Sequence, residues 1–129
     1  MTRRAISTTA APAAVGPYSQ AITTDDLVFC SGQVGLDPAS GDLVAGGLEP
    51  QVERVIRNLE AVLDAAGCTL ADVVKTTCFL ADINDFAAFN AIYARSMPDP
   101  PPARSTFAVK ALPKAALVEI EAIAVRDRG

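Results

Sequence analysis

The period of the apolar residues changes along this chain, and the changes mark the elements. Val52, Val55, Ile56, Leu59, Val62, Leu63 and Ala66 recur at three- and four-residue steps, which places them on one stripe of a helix. Pro50 suits its first turn, and Gly67 suits the left-handed position that closes it. Residues 27–36 (LVFCSGQVGL) are instead rich in β-formers and run into the turn sequence Asp37-Pro38-Ala39-Ser40-Gly41-Asp42. Residues 73–80 (VVKTTCFL) are short and β-branched, a strand. A second helix follows, with Phe86, Phe89, Ile92 and Tyr93 on one face, Asn84 as its cap and the prolines of 98–102 as its stop. Residues 104–111 and 117–125 read as two more strands at hairpin spacing, joined by a segment containing Pro113.

The order is β-β-α-β-α-β-β, with a further N-terminal strand compatible with residues 5–8. It predicts an α+β fold: a single mixed sheet with two helices packed on one face. No repeat, linker or low-complexity tract divides residues 1–129, so one domain is expected.

Strand alternation adds a second layer of information. Val118, Ile120, Ala122 and Ala124 point one way and are apolar enough to meet the helices, whereas Leu117, Glu119, Glu121, Ile123 and Val125 point the other way. The neighbouring strand divides into Ser105, Phe107 and Val109 against Arg104, Thr106, Ala108 and Lys110. A face with aliphatics beside Glu, Arg and Lys fits oligomer packing with polar sites at its edges better than a solvated sheet.

Composition then removes whole classes of chemistry. The 129 residues contain no histidine, so Ser-His-Asp and Cys-His catalysis, imidazole metal sites and zincin motifs are impossible. Proton transfer falls to carboxylates, Tyr, Lys, Cys or water. Three cysteines, Cys30, Cys68 and Cys78, lack CxxC spacing and read as buried thiols in a reducing compartment. Net charge is −4 with no basic run, which lacks the footprint of a nucleic-acid binder. No apolar run approaches the roughly 20 residues of a membrane span, and residues 1–9 lack the apolar core of a secretory signal. A cytoplasmic protein without metal, membrane or nucleic-acid partner is expected.

Within those bounds a few positions could carry chemistry. Gly16-Pro17-Tyr18-Ser19 is a rigid turn that either presents a phenol or packs it, with its hydroxyl on the backbone. Ser31-Gly32-Gln33 interrupts an apolar strand, as a bulge or as a close approach to a ligand. Arg104 stands where a proline-rich loop enters a strand; it is either a surface ion pair or the bidentate anchor of an anionic ligand. Glu119 and Glu121 share a face, and are either solvated, paired with Lys75 or Lys110, or functional. Lys75 and Lys114 rank low as Schiff-base lysines.

The strings APAAVGPYSQA, SGQVGLDPASG, NLEAVLDAAG, DVVKTT, NDFAAFNAIYA, PARS and LPKAALVEIEAIAV, in that order, closely resemble the reactive intermediate deaminase family (RidA, also called YjgF) across about residues 11–125. The resemblance implies a homotrimer whose sheets form a central barrel, with ligand clefts between subunits. It also implies cofactor-free hydrolysis of enamines and imines such as 2-aminoacrylate to 2-keto acids and ammonia, a form of metabolite damage control. By the same resemblance Arg104 clamps the substrate carboxylate and Glu119 activates water. Tyr18 joins them, Ser31 and Gly32 line the cleft, and Asn90 supports the arginine or its loop. Thr106 stands where many members have cysteine, and the 94–102 loop is shorter and lacks the usual aromatics. A water nucleophile makes the missing thiol a matter of cleft shape rather than chemistry. The competing reading is a non-catalytic trimer that senses small 2-keto acids. The ribonuclease description of the family finds little support in an acidic chain without histidine, and a holdase role would need exposed apolar surface, on which the sequence is silent.

Overall fold

The computed structural model describes residues 2–126. Eight elements follow one another: β1 (Arg4–Ile6), β2 (Ala21–Thr23), β3 (Leu27–Val34), α1 (Leu48–Ala65), β4 (Val73–Leu80), α2 (Phe86–Ala94), β5 (Ala103–Ala108) and β6 (Val118–Val125). The strands form one mixed sheet in the order β1-β2-β3-β6-β4-β5. Every pairing is antiparallel except β4 with β5, which is parallel because α2 carries the chain back to the starting end.

Both helices lie on the same face, as the alternation of β6 requires. Val118, Ile120, Ala122 and Ala124 are buried there beneath Val52, Val55, Leu59, Val62 and Leu63 of α1 and Phe89 and Tyr93 of α2. Each of the Val, Leu, Ile and Phe side chains contributes roughly 1.5–3 kcal/mol when fully buried, which makes this layer the main hold on the sheet. Buried polar groups tie its ends. Asn58, fully buried on α1, donates from Nδ2 to Val34 O (3.2 Å) and Leu36 O (3.0 Å), where β3 leaves the sheet. Gln51 Oε1 accepts from Leu117 N at 2.8 Å and anchors the approach to β6.

Three expectations are corrected. The last two strands are not a hairpin: β6 inserts between β3 and β4, and β5 is left at the edge. The chain crosses the end of β4, marked by Val109 N donating to Leu80 O and Ala81 N to Leu117 O. An apolar strand like β6 gains more from two neighbours than from one. The cap of the second helix is not Asn84; Asp82 Oδ1 accepts from Asn84 N at 2.9 Å and starts the single turn Ile83–Asp85 that leads into α2. Finally, Arg104 does not share the mixed face. Its strand partner is Thr76, whose own partner on β6 is Ala122, so Arg104 lies on the helix side. Gly67, by contrast, closes α1 with φ 81° as its position suggested.

Candidate functional site

The sheet face without helices carries Glu119 and Glu121. Register fixes their neighbours: Glu119 stands beside Phe79, itself beside Phe107, and Glu121 beside Thr77 and then Ser105. Phe79 and Phe107 meet edge to face at 5.3 Å. Phe29 (41% exposed) and Phe107 (46%) nevertheless show large parts of their rings to solvent, as does Val125. Such an uncovered aromatic and aliphatic face is uncommon on a lone small domain.

At one end of this face lies a cleft of about 940 Å³, lined among others by Tyr18, Ser31, Gly32, Glu119, Glu121 and Lys114. Its floor is a β-bulge: the β3–β6 register slips between Cys30 and Gln33, which lifts Ser31-Gly32 out of the ladder. Gly32 leaves the room that Glu119 occupies, because a Cβ would fall on the Glu119 carboxylate, 2.8 Å from its Cδ, and push that side chain aside. The Ser31 hydroxyl donates to Ser19 O at 2.6 Å, so it holds the Tyr18 turn against the bulge. Tyr18 is 53% exposed, and its hydroxyl accepts from Val15 N at 3.3 Å, which leaves the O–H free to donate. Glu119 is half-buried and pairs with neither Lys75 nor Lys110. Its loss of water, reinforced by the charge of Glu121, raises its carboxyl above the usual carboxylate range. Lys75 donates to Ser105 Oγ instead, at 3.3 Å. Lys114 is exposed, in the left-handed region (φ 57°), with Nζ on Gly41 O at 2.9 Å.

The second half lies on the other face, at the sheet edge. A cavity of about 550 Å³ is bounded by Asn90, Tyr93, Met97, Pro98, Pro102 and Arg104, so the 95–102 loop forms its outer wall. The Arg104 Cζ lies 5.0 Å from the Tyr93 ring centre, 5.6 Å from Phe86 and 5.8 Å from Phe89. Among the described residues no carboxylate pairs with it. Two buried polar atoms here also lack a hydrogen-bond partner: Asn90 Oδ1 and Thr106 Oγ1. Thr106 stands one strand position pair beyond Arg104 on the same face, and the adjacent Cys78 thiol is directed to Thr76 Oγ1, 3.9 Å away. The guanidinium thus keeps its N–H donors free of any carboxylate, beside two polar side-chain atoms without a partner among the described residues.

One chain therefore gathers Tyr18, Ser31, Gly32 and Glu119 on one face and Asn90, Arg104 and Thr106 on the other. The sequence reading did not separate the two groups, and it took Thr76 and Tyr93 merely as strand and helix-face residues. A polar pair facing each other across β4 and α2 has no local signature that could have flagged them. All three cysteines are buried free thiols, and burial pushes Cys30 up to about 12, so none is a ready nucleophile.

A mixed sheet covered by helices on one side, with an acid–phenol cleft on the other and an arginine free of any carboxylate at its edge, defines a small α+β domain that keeps its acid and its arginine on opposite faces. The chain belongs to the reactive intermediate deaminase family, whose family model, described as Endoribonuclease L-PSP, matches residues 8–126. It is 53% identical over 124 residues to the 2-iminobutanoate/2-iminopropanoate deaminase of Mus musculus, covering 96% of this chain and 92% of that one. Among solved structures it is similar to RidA of the Antarctic bacterium Psychrobacter (44% identity, TM-score 0.91, covering 95% of this chain and 98% of that one). It is also similar to E. coli TdcF with bound serine (38% identity, TM-score 0.90, covering 96% and 99%). No helix among the described residues is long and apolar enough to cross a membrane.

Proposed function

We propose that this chain hydrolyses reactive enamines and imines of the 2-aminoacrylate class to 2-keto acids and ammonia, in a cleft that is complete only where two copies meet. The observation that carries the reading is strand parity: Arg104 and Glu119 leave opposite faces of one sheet, so one copy cannot bring both to one small molecule. The uncovered Phe29 and Phe107 face is the packing surface, and a homotrimer with the sheets around a central barrel satisfies both demands. Serine bound to TdcF, a small carboxylate-bearing amine, accords with a substrate of this size.

Arg104 takes the substrate carboxylate through two parallel charge-assisted bonds, with Thr106 Oγ1 and the Asn90 amide beside it. A neighbouring copy supplies Glu119, Tyr18 and the Gly32 backbone. An enamine first tautomerises to the imine. Water held by Glu119 then adds through oxygen to the imine carbon, the C=N pair moves onto nitrogen, and the carboxylate accepts the water's proton. Returned to nitrogen, that proton completes the carbinolamine; Glu119 then takes the hydroxyl proton and passes it to the amine, so the C–N bond breaks, ammonia leaves and the carbonyl forms. The raised pKa of Glu119 improves it as a base near neutrality. Holding the imine carbon against this water makes the addition effectively intramolecular. Such chemistry belongs to cytoplasmic metabolite damage control, with which three buried free thiols accord.

The test generates imines with an amino-acid oxidase and follows their loss against semicarbazide trapping. Arg104→Ala should abolish the acceleration and Arg104→Lys should recover little of it, because a lysine cannot form the two-pronged contact. Full activity in Arg104→Ala would overturn the site. Tight 2-oxobutanoate binding without turnover of any imine would leave a keto-acid-binding module instead.

A further inference from the structure

The helix face of the sheet carries one polar pair with no obvious structural need. Thr76 Oγ1 and the Tyr93 hydroxyl lie 2.7 Å apart, both residues buried between the sheet and α2. A phenylalanine at 93 and a valine at 76 would fill the same space without two polar groups to satisfy. Register explains what the pair is next to. Thr76 is the direct strand partner of Arg104, and Tyr93 is the ring closest to the Arg104 guanidinium, at 5.0 Å. Tyr93 is also tilted against Phe89 at 5.3 Å, so fixing one ring fixes its neighbour.

We propose that Tyr93 is a positioning residue for the carboxylate-binding arginine. Tethered through its hydroxyl to Thr76, its ring joins Phe86 and Phe89 in an aromatic seat that fixes the Arg104 guanidinium. The rings attract the cation without using its N–H donors, which stay available to the substrate acid. A salt bridge to a carboxylate of the same chain would fix the arginine equally well, but would occupy those donors. A guanidinium held in this way loses less freedom when substrate binds, so the gain appears in binding rather than in the chemical step. The inference rests on the reading of Arg104 as the substrate's anchor.

Four variants of the intact protein, Tyr93→Phe, Thr76→Val, Tyr93→Leu and Arg104→Ala, together with the double Thr76→Val/Tyr93→Phe, test it. The readouts are 2-oxobutanoate affinity by calorimetry, kcat and KM on oxidase-generated imine, and the Arg104 Nε–H proton resonance, assigned by its loss in Arg104→Ala. Tyr93→Phe and Thr76→Val should each weaken 2-oxobutanoate binding and raise KM about three- to tenfold, with kcat within about twofold. The double variant should be no worse than either single, because all three lose the same bond. Tyr93→Leu should bind more weakly still and move the Nε–H resonance as a ring is lost. Unchanged affinity and an unmoved resonance in Tyr93→Phe and Tyr93→Leu, with binding lost in Arg104→Ala, would overturn the seat while the anchor stands. A fall in kcat with KM unchanged in Tyr93→Phe would overturn it too. Wild-type binding by Arg104→Ala would instead remove the anchor, and the seat with it. If Tyr93→Leu fails to fold, Tyr93→Phe and Thr76→Val decide alone.

Discussion

Dividing one site between two copies makes a quantitative demand on mixed assemblies. Arg104→Ala removes a two-bonded charged contact worth about 3 kcal/mol, or roughly 150-fold in kcat/KM. Glu119→Gln removes the base, typically about 10²–10⁴-fold. Each homogeneous variant should therefore be close to inactive. Arg104 and Glu119 lie on opposite sheet faces, so the proposed site takes its arginine from one copy and its glutamate from the next. In a closed ring of three that contains both variants, one junction joins an intact Arg104 to an intact Glu119, one lacks both, and one lacks a single partner. Assemblies isolated through two different tags should thus show about one-third of the wild-type rate per assembly, whereas a two-fold dimer would show about one-half. The assay is imine loss against semicarbazide trapping, after co-expression and sequential purification through both tags. Co-purified mixed assemblies no more active than the two parents would refute the divided site, because a site drawn from one chain is never restored by mixing.

Four further outcomes follow from the geometry. Glu119 must be ionised to accept a proton, so kcat/KM should rise with pH through its raised pKa, and Glu121→Gln should move that limb to lower pH; a stationary limb would argue against their coupling. The same shift means that the fold disfavours ionised Glu119, so Glu119→Gln should raise Tm at neutral pH. That gain should fade as pH falls through the raised pKa and be gone below about pH 4.3, where the acid is protonated folded and unfolded alike. Gly32→Ala places a Cβ on the Glu119 carboxylate and should lower kcat/KM by about five- to 150-fold, since displacing that side chain by such overpacking costs about 1–3 kcal/mol; a wild-type rate would show that the bulge has room. Asn58→Ala strips the donors from Val34 O and Leu36 O and should cost about 3 kcal/mol in urea unfolding at fixed protein concentration; a loss below about 1 kcal/mol would mean that water replaces the amide.

The elements themselves were legible because their causes are local. The stripe from Val52 to Leu63, the left-handed Gly67 and the alternation of β6 each depend on neighbours within a few residues. The family motifs were equally plain, and every candidate site residue borders one of the two cavities or lies beside Arg104 on its strand face. The βαβ order of β4, α2 and β5 also held the clue to the parallel pair, since a crossover helix returns the chain to its starting end. The hairpin expectation for β5 and β6 overrode that clue on spacing alone.

The sequence by itself determined which residues alternate, which stripes are apolar, and that proton transfer must run without histidine. It left undetermined which strand lies beside which. Alternation says that Arg104 and Phe107 leave opposite sides of β5, and that Glu119 and Ile120 do so on β6, but not how the two alternations align. That alignment is set by the pairing of both strands with β4, where a slip of one residue would exchange the faces. Only the folded sheet, choosing the register that buries Val118, Ile120, Ala122 and Ala124 under the helices, sent Glu119 to the open face and Arg104 to the aromatic seat. The separation of acid from arginine is thus a consequence of long-range pairing driven by the core.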